Sequence, residues 1–392
     1  MQIYPLKWLL PSAKDLASIV APPYDVLSHN ELACYEASPL NMVHLTQPEG
    51  NNDPMAFDGA LKKAQRALCL WLQQGVWQKQ REKAFFLYRL DADNHTQTGV
   101  VCGVAAQDVL NSTICVHEKT RMDKEDERAR HMEVLGLHAE PVYFTYPGES
   151  LSMAKLAEST PLLDVTLAGV RHRLYGVRDG EALRRQFAGY SHVYVADGHH
   201  RTAAAVRVAL NHPDNDEAQY FPAVIFPECE MATYAYNRVV SNLSQQEIDT
   251  FLDRLVNAGF TPSVTEEETD PPAGFVDIWC HQQWHRIELP KSQAYDVEVL
   301  QERVLAPILG VINPRTDARI RFVGGRESKQ RLVRESDPAT TIAFAVSPIS
   351  MQAIRKTADA GGVLPPKSTW FEPKLLSGLF MHCFSEDSAN NL

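Results

Sequence analysis

The stretch Val193–Arg201, Val-Tyr-Val-Ala-Asp-Gly-His-His-Arg, constrains this chain more than any other. An apolar run of β type, Val193–Ala196, leads to Gly198, and the alanine-rich Thr202–Leu210 at once takes up helical character. Strand, glycine turn and helix start bring backbone N–H groups and the positive end of a helix dipole to one point, which favours an anion. His199, His200 and Arg201 add donors of the kind a phosphate prefers. One glycine with one basic neighbour could equally be a charged turn closing an αβ unit. Adjacent His-His-Arg with Asp197 before the glycine is harder to explain as solvated surface, and the turn is read as functional. Asp197 could hold a magnesium ion or orient a histidine.

The remainder of the chain narrows the class. At 392 residues there is room for two domains, and 44% apolar with 22% charged residues is ordinary for a soluble globular protein. A net charge of −11 argues against general binding to nucleic acid or to an anionic membrane. No apolar run approaches a membrane span, and the first residues lack a secretion signal's pattern. Seven scattered cysteines without a Cys-x-x-Cys pair suggest buried thiols of a reducing compartment, so a cytoplasmic location is expected. Among the 14 histidines, adjacent His199 and His200 cannot share a helix face, and His131 and His138 lie too far apart along a helix to clasp one zinc. P-loop and nucleophile-elbow motifs are missing, and Gly324-Gly325 is a weak phosphate signal.

In chain order, Ala21-Pro22-Pro23-Tyr24-Asp25-Val26 is a stiff extended loop. It either packs Tyr24 on the body or presents Tyr24 or Asp25 to a pocket. A short helix follows Ser28, and Met42–Leu45 reads as a strand. The spacing of Phe57, Leu61, Ala64, Leu68 and Trp71 predicts an amphipathic helix over 56–74. Strands are expected at 84–90, 99–105 and 112–117, then a charge-dense helix over 124–138 whose Glu125, Asp126, Glu127, Arg128 and Arg130 form an exposed face. Further strands are expected at 142–146, 220–226, 231–240 and 341–346, with helices at 246–258 and from 350. The fold class is α+β, divided as a core over 1–240, a second α+β unit over 241–335 and a C-terminal segment, 336–392, returning to the core. Glu118, at the end of a strand, is the best candidate base, against a structural ion pair with Lys119 or Arg121. Lys367 and Lys374, in and beside the proline-stiffened Leu364–Thr369 loop, could stabilise a transferring phosphoryl.

Four motifs, Ala21–Val26, His117-Glu118-Lys119-Thr120, Ala196–Arg201 and Leu364–Thr369, together resemble domain-of-unknown-function family 1015, a bacterial family. The middle of the chain is also similar to the ParB/sulfiredoxin superfamily, whose free serine kinases carry a His-Glu pair and an Asp-Gly-His-His-Arg turn. The resemblance implies a ParB/sulfiredoxin-like core and a phosphotransferase using ATP or ADP with Mg2+ on a small hydroxyl compound such as L-serine. Carried over by motif, Glu118 would be the base and Gly198, His199, His200 and Arg201 would hold phosphate; His200 and Asp197 are further catalytic candidates, Asp197 also as metal ligand. Thr202 on the turn and Lys367, Ser368 and Thr369 of the proline-stiffened loop are added as phosphate candidates on their residue types and not by that resemblance. Tyr24, Asp25, His117, Arg238 and Lys374 would meet substrate. The expected partners are a nucleotide and a small molecule, with neither nucleic acid nor membrane, and a homodimer is compatible with this reading. A phosphoserine phosphatase, or a nucleotide sensor without turnover, would use the same groups. Thr202 replaces the aromatic residue typical after the arginine, and Asn237 a histidine.

Overall fold

The computed structural model describes residues 1–48, 57–93, 95–292, 294–365 and 367–385. The architecture is mixed α+β with several sheets, and the chain forms two compact units. Unit 1 comprises Met1–Met231 and Pro373–Leu392; unit 2, Ala232–Glu372, is inserted between them.

Unit 1 is built on an eight-stranded mixed sheet. Its order is Ile114–Cys115, Val193–Asp197, Val142–Tyr146, Tyr220–Pro227, His95–Ala105, Phe86–Ala92, Val170–Gly176 and Leu163–Leu167. The sequences Val-Tyr-Phe-Thr-Tyr and Tyr-Phe-Pro-Ala-Val-Ile-Phe-Pro lie side by side in parallel, and their near-continuous apolar character suits strands covered on both faces. Phe144, Val195, Ala205, Phe221 and Ile225 belong to the core on this sheet, so the strand and helix flanking Gly198 are both anchored by burial. A smaller four-stranded sheet joins Trp77–Lys79, Trp8–Pro11, Met381–Cys383 and Leu137–His138, with the amphipathic helix Phe57–Gln73 packed through Leu68 and Trp71 into its core. Its C-terminal strand, paired Trp8↔His382, brings the chain end back into unit 1.

Unit 2 holds a six-stranded antiparallel sheet in the order Ser263–Val264, Gln283–Glu288, Phe275–Cys280, Ile342–Val346, Tyr236–Val240 and Ile320–Gly324. Ser244 starts its helix Gln245–Asn257 with a capping box to Glu247. A short ribbon pairs Ala232–Tyr234 with Trp370–Glu372.

The structure differs from the sequence reading in several places. The stretch 231–240 is two strands in different sheets, and the second pairs with Ile342–Val346, so unit 2 begins at Ala232 and extends to Glu372. Met42–Leu45 enters a helical turn, Val43–Thr46, because Asn41 accepts from Val43 N at 3.1 Å and donates to Ser18 O and Val20 O. The charge-dense helix runs Met122–Leu135, and Arg128 on it is buried, with Nη1 on Thr46 O at 3.0 Å. All seven cysteines are free; Cys34 and Cys229 are exposed and Cys102, Cys115, Cys280 and Cys383 buried. Ala56 lies outside the described residues. Among the described residues no helix is long and apolar enough to cross a membrane.

Candidate functional site

The strand Val193–Asp197 runs parallel to Ile114–Cys115 and antiparallel to Val142–Tyr146. Its register slips between Val195↔Phe144 and Asp197↔Tyr143, a bulge at Ala196 that re-aims the Asp197 side chain where pairing ends. Gly198 follows with φ 94° and ψ 33° and caps the helix His199–Asn211. A residue with a Cβ resists that left-handed conformation. The space is also occupied, since a Cβ here would stand 3.2 Å from Cζ and Nε of Arg201. The guanidinium lies across the glycine.

Arg201 is 4% exposed; its Nη1 donates to Pro141 O at 2.5 Å, and its Nη2 lies 3.5 Å from Asp197 Oδ2. Lys374 Nζ is 3.5 Å from the same oxygen. Asp197 is thus a carboxylate between two cations, and its buried surroundings make these pairs stronger than surface ones. This donor set does not suit a magnesium ion by itself. Among the described residues no three His, Cys, Asp or Glu side chains are grouped to hold a metal.

One face of the helix, at His199, Thr202, Ala203, Val206, Arg207 and Leu210, lines a cleft of about 340 Å³. The spacing is the 3.6-residue period. Glu118, half-buried, shares this cleft with Thr120 and Glu125. The Thr120 hydroxyl donates to Glu125, and Arg207 Nη2 pairs with Glu125 at 3.1 Å, so that acid is already matched. His199 lies edge-on to His117, ring centres 4.4 Å apart, and His117 is fully buried. Both nitrogens of His117 and Nε2 of His199 find no hydrogen-bond partner among the described residues. Burial pushes the His117 imidazole down to about 4 and His199, further hindered by His117, well below the usual range. Both rings are therefore neutral at pH 7, and His199 offers the turn a polar group rather than the cationic donor that the sequence suggests.

His200 accepts from Arg121 N through Nε2 at 3.2 Å, which ties the His117–Thr120 loop to the turn and leaves Nδ1 as the protonated nitrogen of the neutral ring. Thr202, buried, donates to Gly198 O at 3.1 Å. Tyr24 stacks under the Arg128 guanidinium at 4.2 Å, which is the packing alternative of the sequence reading. The side chain of Asp25 lies outside what is described. The Ala21 backbone pairs with Ser377, Ser377 Oγ donates to Glu140 Oε1 at 2.6 Å, and the carbonyl of the next residue, Pro141, is the one Arg201 holds. The proline loop, the His-Glu loop, the glycine turn and Lys374 are thereby linked within unit 1.

The family model described as "Protein of unknown function (DUF1015)" matches residues 3–311. The chain belongs to the DUF1015 family. No curated protein matches its sequence. Among solved structures it is similar to a C-terminally truncated SbnI from Staphylococcus aureus, at 13% identity and TM-score 0.41, over 71% of this chain and 85% of that one. A free serine kinase in complex with AMP is similar at 11% identity and TM-score 0.42, over 73% and 92% of the two chains. A conserved hypothetical protein from Pyrococcus furiosus is similar at 12% identity and TM-score 0.37, over 69% and 90%.

In this DUF1015 chain the remaining motif residues belong to unit 2. Ser368 Oγ donates to Pro365 O at 2.7 Å, Lys367 Nζ lies 5.5 Å from the centre of the Tyr236 ring, and Thr369 is half-buried. Arg238 is buried on the strand Tyr236–Val240. Asn237, fully buried, donates to Ser328 Oγ at 2.9 Å and accepts from Val346 N at 3.0 Å, a bridge between the helix Ser328–Glu335 and the strand Ile342–Val346 that explains an amide at this position. Sequence reasoning missed Thr120, Glu125 and Arg207 as cleft residues. Arg207 was within reach, eight positions after His199 on the same helical stripe. The Gly198→Ala variant should lose about 1–2 kcal/mol of stability through the left-handed φ, with nucleotide binding weakened as Arg201 is displaced. Urea unfolding and a nucleotide titration on the same variant check both effects.

Proposed function

We propose that this protein is a phosphotransferase acting on a small metabolite, moving the terminal phosphoryl group of ATP or ADP to the hydroxyl of L-serine or a compound like it. One observation carries the reading: Glu118 and two residues of the first helical turn after Gly198, His199 and Thr202, line the same cleft of about 340 Å³. A carboxylate and an anion-seeking helix terminus in one cleft are the two parts that phosphoryl transfer to an alcohol requires. In the step itself, Glu118 takes the acceptor's O–H proton while that oxygen forms a bond to the terminal phosphorus. The bond from phosphorus to the bridging oxygen breaks, and ADP or AMP leaves with the electron pair. The backbone N–H groups after Gly198, with His199, His200 and Thr202 around them, are assigned to the phosphates. Asp197 holds Arg201 and Lys374 beside the turn, so that positive charge is in place before the substrates arrive. Lys367, Ser368 and Thr369 are retained as phosphate candidates, and Tyr24, Asp25, His117 and Arg238 as substrate candidates. Magnesium, when present, would neutralise phosphate charge and is expected to arrive on the nucleotide, with Asp197 retained as the candidate ligand.

The test is a thermal-shift series on the full chain with ATP, ADP, AMP or CTP and magnesium, each with and without L-serine or phosphoserine. A ligand at about a hundred times its dissociation constant adds roughly 2.7 kcal/mol, a readily visible rise. A rise with ATP or ADP that L-serine deepens, followed by formation of phosphoserine, supports the kinase. A rise with phosphoserine alone would favour hydrolysis by the same groups. If every nucleotide is silent, the phosphate assignment of the turn is lost and the kinase with it.

A further inference from the structure

Unit 2 treats its buried cations unequally. Lys329, 3% exposed, is fully matched: its Nζ donates to Asp277 Oδ2 at 2.7 Å, to Thr269 O at 3.0 Å and to Glu267 O. Arg286 forms a fork onto the same Asp277 at 2.7 and 3.0 Å and reaches Glu267 at 2.8 Å. Arg238 has no such company. It is 4% exposed, and its one hydrogen bond runs from Nη1 to the carbonyl of Tyr236. No carboxylate lies within 4.0 Å of it among the described residues. Its neighbours are aromatic: Phe322, directly opposite in the sheet register, has its ring centre 5.5 Å from the guanidinium carbon. Phe344 is its register partner on the other side.

A guanidinium buried among rings with one carbonyl acceptor is a costly arrangement unless something supplies the missing negative charge. Burial lowers its hold on the proton to about 10, still far above any working pH, so Arg238 remains charged and does not escape by neutralising itself. None of its nitrogens is among the polar atoms sealed from solvent without a partner, so the N–H groups that make no hydrogen bond keep a trace of solvent exposure. Lys367, over the ring of the Tyr236 whose carbonyl Arg238 holds, adds positive charge to the same neighbourhood. We propose that unit 2 carries an oxyanion site of its own built on Arg238, which takes the carboxylate or phosphate group of a small molecule. The planar fork of the guanidinium matches two oxygens of either group, and the aromatic neighbours lower the local polarity and so strengthen the pair. Arg238 is also a substrate candidate of the phosphotransfer reading; the anion site proposed here stands or falls on Arg238 alone, whether or not the cleft of unit 1 transfers phosphate.

The test is the melting temperature of the full chain in an anion-poor buffer, with inorganic phosphate or acetate added at constant ionic strength. The wild type should rise along a saturable curve with at least one of them; phosphate alone or acetate alone identifies the group. Arg238→Met removes the charge at similar length. It should melt at or above the wild type without added anion and lose the part of the saturable response that the His200→Ala variant retains. Arg238→Lys keeps the charge but loses the fork, and should need about tenfold more anion for half the effect. His200→Ala alters the central turn and should leave the response in place. The proposal is overturned if Arg238→Met melts several degrees below the wild type without anion, since the charge would then be satisfied within the fold. It is equally overturned if Arg238→Met responds undiminished, if His200→Ala abolishes the response, or if neither anion acts on the wild type.

Discussion

Glu118→Gln should lower turnover of the acceptor hydroxyl roughly 100- to 10,000-fold while leaving nucleotide affinity within about twofold. Glutamine has the shape of glutamate and still hydrogen-bonds, but its amide cannot accept the acceptor's proton. The phosphates are assigned to the backbone after Gly198 and to the polar groups around it, so a change at Glu118 should not reach them directly. Glu125, the other acid of the cleft, cannot readily substitute, because Arg207 and Thr120 already occupy its carboxylate. The measurements are nucleotide titration by calorimetry and a turnover assay on the same preparation. Unchanged turnover removes Glu118 as base and leaves a binding protein. Loss of nucleotide affinity alongside turnover would make Glu118 a positioning residue for the turn, acting through the 117–121 loop that His200 holds at Arg121 N.

The parts of this site that were legible in the sequence were those encoded locally. Val193–Asp197, Gly198 and His199–Asn211 announce themselves through a switch of apolar period from 2 to 3.6 around a residue that alone tolerates the required φ. The contacts that give the turn its electrostatics are distant in sequence and left no local trace. Lys374 reaches Asp197 only because the chain returns through Met381–Cys383 to pair with Trp8–Pro11. The unit boundary was obscured in the same way: Tyr236–Val240 and Ile342–Val346 are neighbours in a sheet but about a hundred residues apart in the chain. The helix Met122–Leu135 misled through composition. Its charges suggest solvent all along one face, yet Arg128 and His131 are buried and hydrogen-bond to Thr46 O and Leu45 O of the helical turn Val43–Thr46. Burial also changed the chemistry of the most conspicuous motif, since His199 looks cationic on paper and is neutral in place.

That burial of histidine makes unit 1 acid-sensitive, and unit 1 should unfold near pH 5 while unit 2 persists. His117 and His172 are pushed down to about 4 and His131 to about 3, in each case chiefly by burial. His138, His199 and His382 are lowered as well, His138 and His382 as buried rings stacked 6.0 Å apart. All six lie in unit 1. In the unfolded chain each would take up a proton near 6.5, whereas in the folded unit it does so only at lower pH. Their contribution is therefore fully present above about 6.5 and is lost as pH falls, at about 1.4 kcal/mol per pH unit for each ring. Three such rings alone remove about 4 kcal/mol per unit, against a typical total of 5–15 kcal/mol. Unit 2 carries the opposite bias at Asp270, whose carboxyl is raised to about 6 by burial, so the folded form gains relative stability as pH falls from about 6 towards 4. His285, modestly lowered by burial, is the opposing histidine there. Limited proteolysis with an acid-active protease, stepped from pH 7 to 4.5 with fragments read by mass spectrometry, should show cuts throughout 1–231 while a fragment within 232–372 survives. Simultaneous loss of both units, or loss of unit 2 first, would show that the buried imidazoles do not govern the acid limit. The same series should also show nucleotide binding failing with unit 1, because His199, which lines the cleft, and the buried His117 packed against it must stay neutral for that wall to remain packed.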